Sequence, residues 1–120
     1  MKFRSKFEST IASSYPDLEY ETRRIKYEIP AVQHLYTPDF VLKTNSGKEI
    51  YIEAKGRYSP KDRKKMLLVR DQHPDLDIRF IFQNPNVTIS KSSLTTVAEW
   101  CIKNNFKFGT VETIKKWRTE

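Results

Sequence analysis

One cysteine, three glycines and no long apolar run set the first limits on this chain of 120 residues. With Cys101 alone, an internal disulfide and a cysteine-rich zinc site are both excluded, and a reducing, intracellular compartment is expected. No stretch approaches the roughly 20 apolar residues a helix needs to cross a bilayer. The opening, Met1-Lys2-Phe3-Arg4-Ser5-Lys6, has no apolar segment behind it, so no signal peptide is expected. Repeats and low-complexity segments are missing, and so is a glycine-rich phosphate loop, which argues against that class of phosphate binder. Neither His34 nor His73 has a second histidine at ligand spacing. They read as a turn residue and a helix-end residue.

What the chain does have is positive charge. Lys and Arg number 22 against 15 Asp and Glu, a net of +7, and such a surplus favours polyanions through phosphate contacts and counterion release. With 38% hydrophobic and 31% charged residues, the chain should fold around one core, and its length predicts one domain over 1–120. Charge alone leaves a merely basic soluble domain as open as a nucleic-acid binder.

The pattern of apolar residues predicts an α/β fold with a mixed sheet. Residues 5–14 read as a short helix, with Phe7 and Ile11 four apart and Pro16 beyond its end. Residues 18–29 read as extended, but the alternation of Leu18 and Tyr20 changes phase before Ile25, Tyr27 and Ile29, which predicts a bulge or two strands. Pro30 closes that segment. Residues 35–42 and 49–54 form a predicted hairpin through Thr44-Asn45-Ser46-Gly47. Ser59-Pro60 is a helix start, a capping hydroxyl followed by proline at the first helical position, for a helix reaching about His73. Residues 77–82 then read as a buried strand, joined to its predecessor by a parallel crossover. Ser93 is the expected cap of a third helix to about Asn104, burying Leu94, Val97, Ala98, Cys101 and part of Trp100. A strand at 106–108 and a helical turn at 114–117 complete the reading.

The chemistry concentrates in the hairpin. Asp39 is followed after thirteen residues by Glu53-Ala54-Lys55. Two carboxylates offer hard oxygen ligands to Mg²⁺, and a lysine can bind a scissile phosphate or orient an activated water. Strand alternation puts Glu53 and Lys55 on one face, with Ile50, Ile52 and Ala54 on the other. Phosphodiester hydrolysis needs an activated water, charge neutralisation at phosphorus and help for the leaving oxygen, and two ions about 4 Å apart supply all three. Asp39 is the candidate bridging ligand, Glu53 a ligand to at least one Mg²⁺ or Mn²⁺, and the Ala54 carbonyl a third donor; Lys55 would hold the water or stabilise the transition state. The same residues also fit ordinary strand-edge carboxylates and a solvated lysine; placement on consecutive strands favours the site. Glu8 reads from pattern alone as a solvated or capping acid. Tyr36, Tyr58, Trp100 and Trp117 read as core or edge aromatics. The cluster at Lys61, Lys64 and Lys65 reads as a solvated helix face, or beside a nuclease site as a phosphate track.

At Tyr36-Thr37-Pro38-Asp39-Phe40, Glu53-Ala54-Lys55-Gly56, Asp62-Arg63-Lys64-Lys65 and Arg70-Asp71-Gln72-His73-Pro74-Asp75-Leu76-Asp77-Ile78-Arg79, the sequence closely resembles the endonuclease I family of short-tailed bacteriophages. These are Holliday-junction resolvases with a restriction-endonuclease-like core. The likeness spans about residues 3–108, and the block from 62 to 79 is more specific than the catalytic triplet. It implies that Asp39, Glu53 and Lys55 are catalytic, with Glu8 a further catalytic acid and possible metal ligand. It implies a domain-swapped homodimer in which residues 1–30, helix and extended bridge, cross to the partner, so that Glu8 acts in trans on a core of 31–120. Branched double-stranded DNA is the implied partner, with Arg4, Lys6, Lys43, Arg57, Lys61, Lys64 and Lys65 as candidate contacts. No membrane or nucleotide cofactor is expected, and a phage-encoded protein would work in the host cytoplasm. A restriction-like or mismatch-nicking endonuclease of the same core stays open beside junction resolution, as does a non-catalytic DNA-binding module.

Overall fold

A computed structural model describes residues 3–29, 32–56 and 58–120. Pro30 and Arg57, which figure in the sequence reading, lie outside the described residues. The first helix, α1 (Lys6–Ser14), starts where the Ser5 side chain accepts a hydrogen bond from the Glu8 amide at 3.1 Å, and it buries Glu8 and Ile11. The extended segment after it divides in two, as its phase change predicts. Strand β1 (Glu19–Tyr20) joins the main sheet, while β2 (Ile25–Ile29) pairs antiparallel with β3 (Val32–Tyr36) in a separate two-stranded sheet. His34 therefore lies within a strand, not in a turn.

Residues 35–42 do not form one strand. Thr37, Pro38 and Asp39 separate β3 from β4 (Phe40–Lys43), and the two belong to different sheets; proline lacks the amide that a central ladder needs. β4 and β5 (Glu49–Lys55) form the expected antiparallel hairpin, with Gly47 at φ 87°, a left-handed position natural to glycine. Helix α2 (Pro60–Gln72) carries the chain to β6 (Ile78–Phe82), which runs parallel to β5. Ser59 caps α2, accepting from the Asp62 amide at 3.1 Å, and His73 is the residue at its other end.

The third helix, α3, covers Val97–Lys103 and is capped by Thr96 rather than Ser93. Thr96 and Glu99 make a reciprocal capping box, which satisfies two amide donors and outcompetes a lone serine upstream. The chain before it is held by a Thr88–Thr96 bridge and a bond from Ile89 N–H to the Thr95 carbonyl. Leu94, expected to be buried, consequently stands 95% exposed. β7 (Lys107–Gly109) runs parallel to β6, and α4 (Thr113–Arg118) follows.

The main sheet has the order β1-β4-β5-β6-β7 and a core on each face. Ile11 and Tyr15 from the α1 side and Ile114 and Trp117 from α4 pack on Phe40, Leu42, Ile50, Ile52, Ala54 and Ile81. On the other face Met66 and Val69 of α2 and Val97, Trp100 and Cys101 of α3 pack on Ile78, Phe80 and Phe82. Each fully buried Ile or Phe contributes about 1.5–3 kcal/mol. Double burial rigidifies β5, the strand that carries Glu53 and Lys55. Its alternation sends Ile50, Ile52 and Ala54 into one core, so Glu53 and Lys55 share the opposite face.

Candidate active site

Where β4 begins, the backbone and the side chains of two acids are clasped together. The Ala54 amide donates to Asp39 Oδ2 at 2.9 Å, and the Asp39 amide donates to Glu53 Oε2 at 3.2 Å. The Tyr36 hydroxyl, at the end of β3, donates to the same Glu53 oxygen at 2.8 Å. These bonds fall on one oxygen of each carboxylate, and Asp39 Oδ1 and Glu53 Oε1 take no part in the clasp. The break at Thr37-Pro38 is what brings this about: it turns β3 out of the main sheet and leaves Tyr36 and Asp39 on either side of Glu53. Lys55 is half-buried two residues along the same strand face.

Glu8 arrives from α1. Its Oε1 accepts from the Tyr20 hydroxyl at 2.8 Å and from the Arg4 amide at 3.0 Å. Carboxylate oxygens of Glu8, Glu21 and Asp39 all lie within 4.8 Å of one another. α1 and β1 pack on their own chain's sheet, and β1 pairs with β4, so in this single chain Glu8 reaches Asp39 in cis. Glu21 is the residue that sequence reading missed. It follows β1 at φ 52°, its amide donates to the Asp39 carbonyl at 3.0 Å, and its Oε2 meets Arg4 Nε at 3.0 Å. In sequence it is one acid of Glu19-Tyr20-Glu21, with no spacing to mark it off from a solvated neighbour; only the left-handed turn after β1 aims it inward.

Burial dominates the electrostatics. The Asp39 carboxyl is pushed up to about 8, first by desolvation and then by the charge of Glu53, against the Ala54 amide bond and the charge of Lys55. Glu53 is raised too, by burial foremost, opposed by Lys55 and the Tyr36 hydroxyl. The Tyr36 phenol is raised by burial and then by Glu53. Beside it the Tyr58 hydroxyl is buried with no hydrogen-bond partner among the described residues. Three buried acids thus lie at close quarters, and the charges of Lys55 and Lys65 both act on Glu53.

The candidate DNA contacts divide by position. Arg4, Lys6, Lys43, Lys61 and Lys64 are exposed, and Lys65 is half-buried with Nζ 5.5 Å from the Tyr36 ring centre. Arg57 lies outside the described residues. Tyr36, Tyr58, Trp100 and Trp117 are core residues, as is Cys101. No helix among the described residues is long and apolar enough to cross a membrane.

A family model described as phage endonuclease I matches residues 2–120. The chain is 43% identical over 110 residues to endodeoxyribonuclease 1 of Enterobacteria phage T3, covering 88% of this chain and 70% of that protein. It is 41% identical over 110 residues to endonuclease I of Escherichia phage T7, covering 88% of this chain and 71% of that protein.

Proposed function

This chain belongs to the phage endonuclease I family, and from that premise we propose that it is a divalent-metal-dependent DNA endonuclease that resolves four-way junctions. The observation that carries the chemistry is the clasp of Asp39 and Glu53, with Lys55 on the same strand face and Glu8 against Asp39. The donors suit Mg²⁺ or Mn²⁺: carboxylate oxygens are the hard ligands these ions take, and Asp39, raised first by burial and then by the charge of Glu53, is an acid whose charged form a cation would stabilise. Asp39, Glu53 and the Ala54 carbonyl would hold one ion, with Asp39 and Glu8 serving a second. Such an ion supplies Lewis acidity at phosphorus and a water acidic enough to attack near neutral pH.

The remaining work falls to this chain's own groups. Asp39, held by the Ala54 amide, and Glu53, held by Tyr36 and the Asp39 amide, keep their unclasped oxygens in fixed positions, so little reorganisation is needed during reaction. Lys55 orients the attacking water or takes up charge on the phosphoryl oxygens as the new P–O bond forms and the bond to the leaving sugar oxygen breaks. The basic surface around Lys61 and Lys64 would carry the backbone of branched DNA, whose selection by shape needs few base contacts.

The proposed assembly is an exchanged homodimer. β2 and β3 pair in unbroken register, from Ile25 with Tyr36 to Ile29 with Val32. Opened and re-formed with a second copy, that ladder keeps every pair while carrying α1 and β1 across, and Glu8 then serves the partner's Asp39. Mixing Glu8→Ala with Lys55→Ala subunits tests this: exchange should restore one site per heterodimer, and no recovered nicking means that each chain completes its own.

Cleavage of a labelled four-way junction beside a linear duplex of the same sequence, with Mg²⁺ and with EDTA, tests the main proposal. Paired nicks near the branch, only with metal, are expected. Equal cutting of both substrates would leave a nuclease without junction selectivity, and tight binding without any cutting would leave a binding module.

A further inference from the structure

Helix α2 presents two different faces. Met66 and Val69 fill the main core, but the stripe turned toward the β2–β3 sheet reads Lys61, Lys65 and Leu68, spaced four and then three residues apart. Simple packing of a helix on a sheet would place apolar residues there. Instead two ring faces of the sheet meet one ammonium group: Lys65 Nζ is 6.0 Å from the Tyr27 ring centre and 5.5 Å from that of Tyr36. The two layers meet through Tyr27, which is buried in the same core as Met66 and Val69, and beside that contact a cavity of about 360 Å³ remains, within the ~300–1,000 Å³ span of small-ligand sites. Tyr27, His34 and Leu68 make its apolar wall, and Lys61, Lys64 and Lys65 outnumber Asp62 at its polar edge. Tyr27 and His34 are cross-strand partners whose rings lie 5.5 Å apart at 29°, a ready stacking platform.

Its position gives it a ligand. Tyr36, under the Lys65 ammonium, donates its hydroxyl to Glu53 at 2.8 Å, so one side chain separates the cavity wall from the proposed metal site. Resting on the nuclease reading above, we propose that this cavity is a nucleotide subsite. It takes one unstacked base of the DNA strand next to the phosphate being cut, with that strand's phosphates on Lys61 and Lys64. Aromatic faces accept any base by stacking, and lysines track the backbone. A paired base inside a duplex cannot enter, whereas a base at a branch point can leave its stack at little cost. The subsite therefore reads the branch without reading sequence.

The test is a thermodynamic cycle in EDTA between His34→Ala, an exposed position, and a series of four-way junctions each abasic at one nucleotide flanking the cut phosphate. His34→Ala should weaken binding of the intact junction about tenfold. At one abasic position wild-type protein should suffer a similar loss, and His34→Ala should then add nothing further. Lys64→Ala should weaken every member of the series alike. Losses from His34→Ala that are equal on intact and abasic junctions, or no loss on any, would overturn the subsite. If that occurs while wild-type protein still binds and cuts the intact junction with Mg²⁺, the nuclease reading stands and the subsite alone fails; wild-type protein that binds no junction overturns both.

Discussion

Two groups of charged side chains lie buried along the β5–β6 pair, where Arg79 registers with Ile52, one residue before Glu53, and they are composed in opposite ways. At the far end of β5, Glu8, Asp39 and Glu53 are 5%, 6% and 3% exposed and of one sign. At the start of β6, Arg79 has no exposure and is answered twice. Its guanidinium donates to both Asp77 oxygens at 2.8 and 2.9 Å and to both Glu120 oxygens at 2.6 and 2.8 Å, and lies 5.1 Å from the Trp117 ring centre. The acids respond accordingly. Asp39 is pushed up to about 8 by burial and by its acidic neighbour, while Glu120 is held down at about 2 by hydrogen bonds from Arg79 and Lys48. The balanced cluster fastens the end of the chain to the β4–β5 turn, where the Asn45 and Ser46 amides also donate to the Arg118 and Glu120 carbonyls. The one-signed cluster is held by the Tyr36 and Tyr20 hydroxyls and by backbone amides. Burial pushes both Asp39 and Glu53 toward the protonated form, and the charge of Glu53 pushes Asp39 further, the kind of perturbation that clusters at functional sites.

The contrast can be broken from either side. Lys55→Ala or Asp39→Ala should lower single-turnover junction cleavage by about 1,000-fold while leaving junction binding largely intact. Cutting at the wild-type rate would remove these residues from the chemistry. Arg79→Met should do the reverse, costing about 3 kcal/mol of stability because Asp77 and Glu120 lose their partner. Urea unfolding measures the loss, and cleavage per folded molecule should not change. Tyr36→Phe lies between the two. It frees one Glu53 oxygen from its clasp, and cleavage should fall about tenfold, with more Mg²⁺ needed for half-maximal rate. A drop in rate with no change in metal requirement would show that Tyr36 acts only through packing.

The smallest effect is one of pH. Asp39 binds its proton more tightly folded than unfolded, so its contribution to stability is greatest below the ordinary 3.8 and falls as pH rises to about 8. In chelator, the thermal midpoint should decline across that window, and Asp39→Asn should flatten the decline. Glu120 has the opposite sign, stabilising above its ordinary 4.5 and losing that contribution as pH falls toward about 2, so the two clusters are separable in one titration of stability.

Local chemistry made much of this architecture legible beforehand. Ser5, Ser59-Pro60, the turn at Gly47 and the alternation of β5 act over a few residues, and each forms the element expected of it. The errors come where longer-range competition decides. The apolar pattern runs on across Thr37 and Pro38, yet a proline without an amide moves the two halves into different sheets. Ser93 has the right chemistry for a cap, but the paired side-chain acceptors of Thr96 and Glu99 satisfy two amides at once. Asp39, Glu53 and Lys55 were legible because one hairpin holds them. Glu8 needed the family likeness, and Glu21 was hidden because a left-handed residue after β1, not spacing, turns it inward. Which chain's Glu8 meets which Asp39 depends on whether β2 and β3 pair within or between copies, and the register is the same for both.

In the proposed reaction Asp39, raised by burial, keeps its proton until a cation replaces it. Calorimetric titration of the protein with Mn²⁺ near neutral pH, repeated in buffers of different ionisation enthalpy, counts the protons released. Release of about one proton per site, abolished in Asp39→Asn, is the expected result. Mn²⁺ binding with no proton release, or the same release in Asp39→Asn, would contradict it.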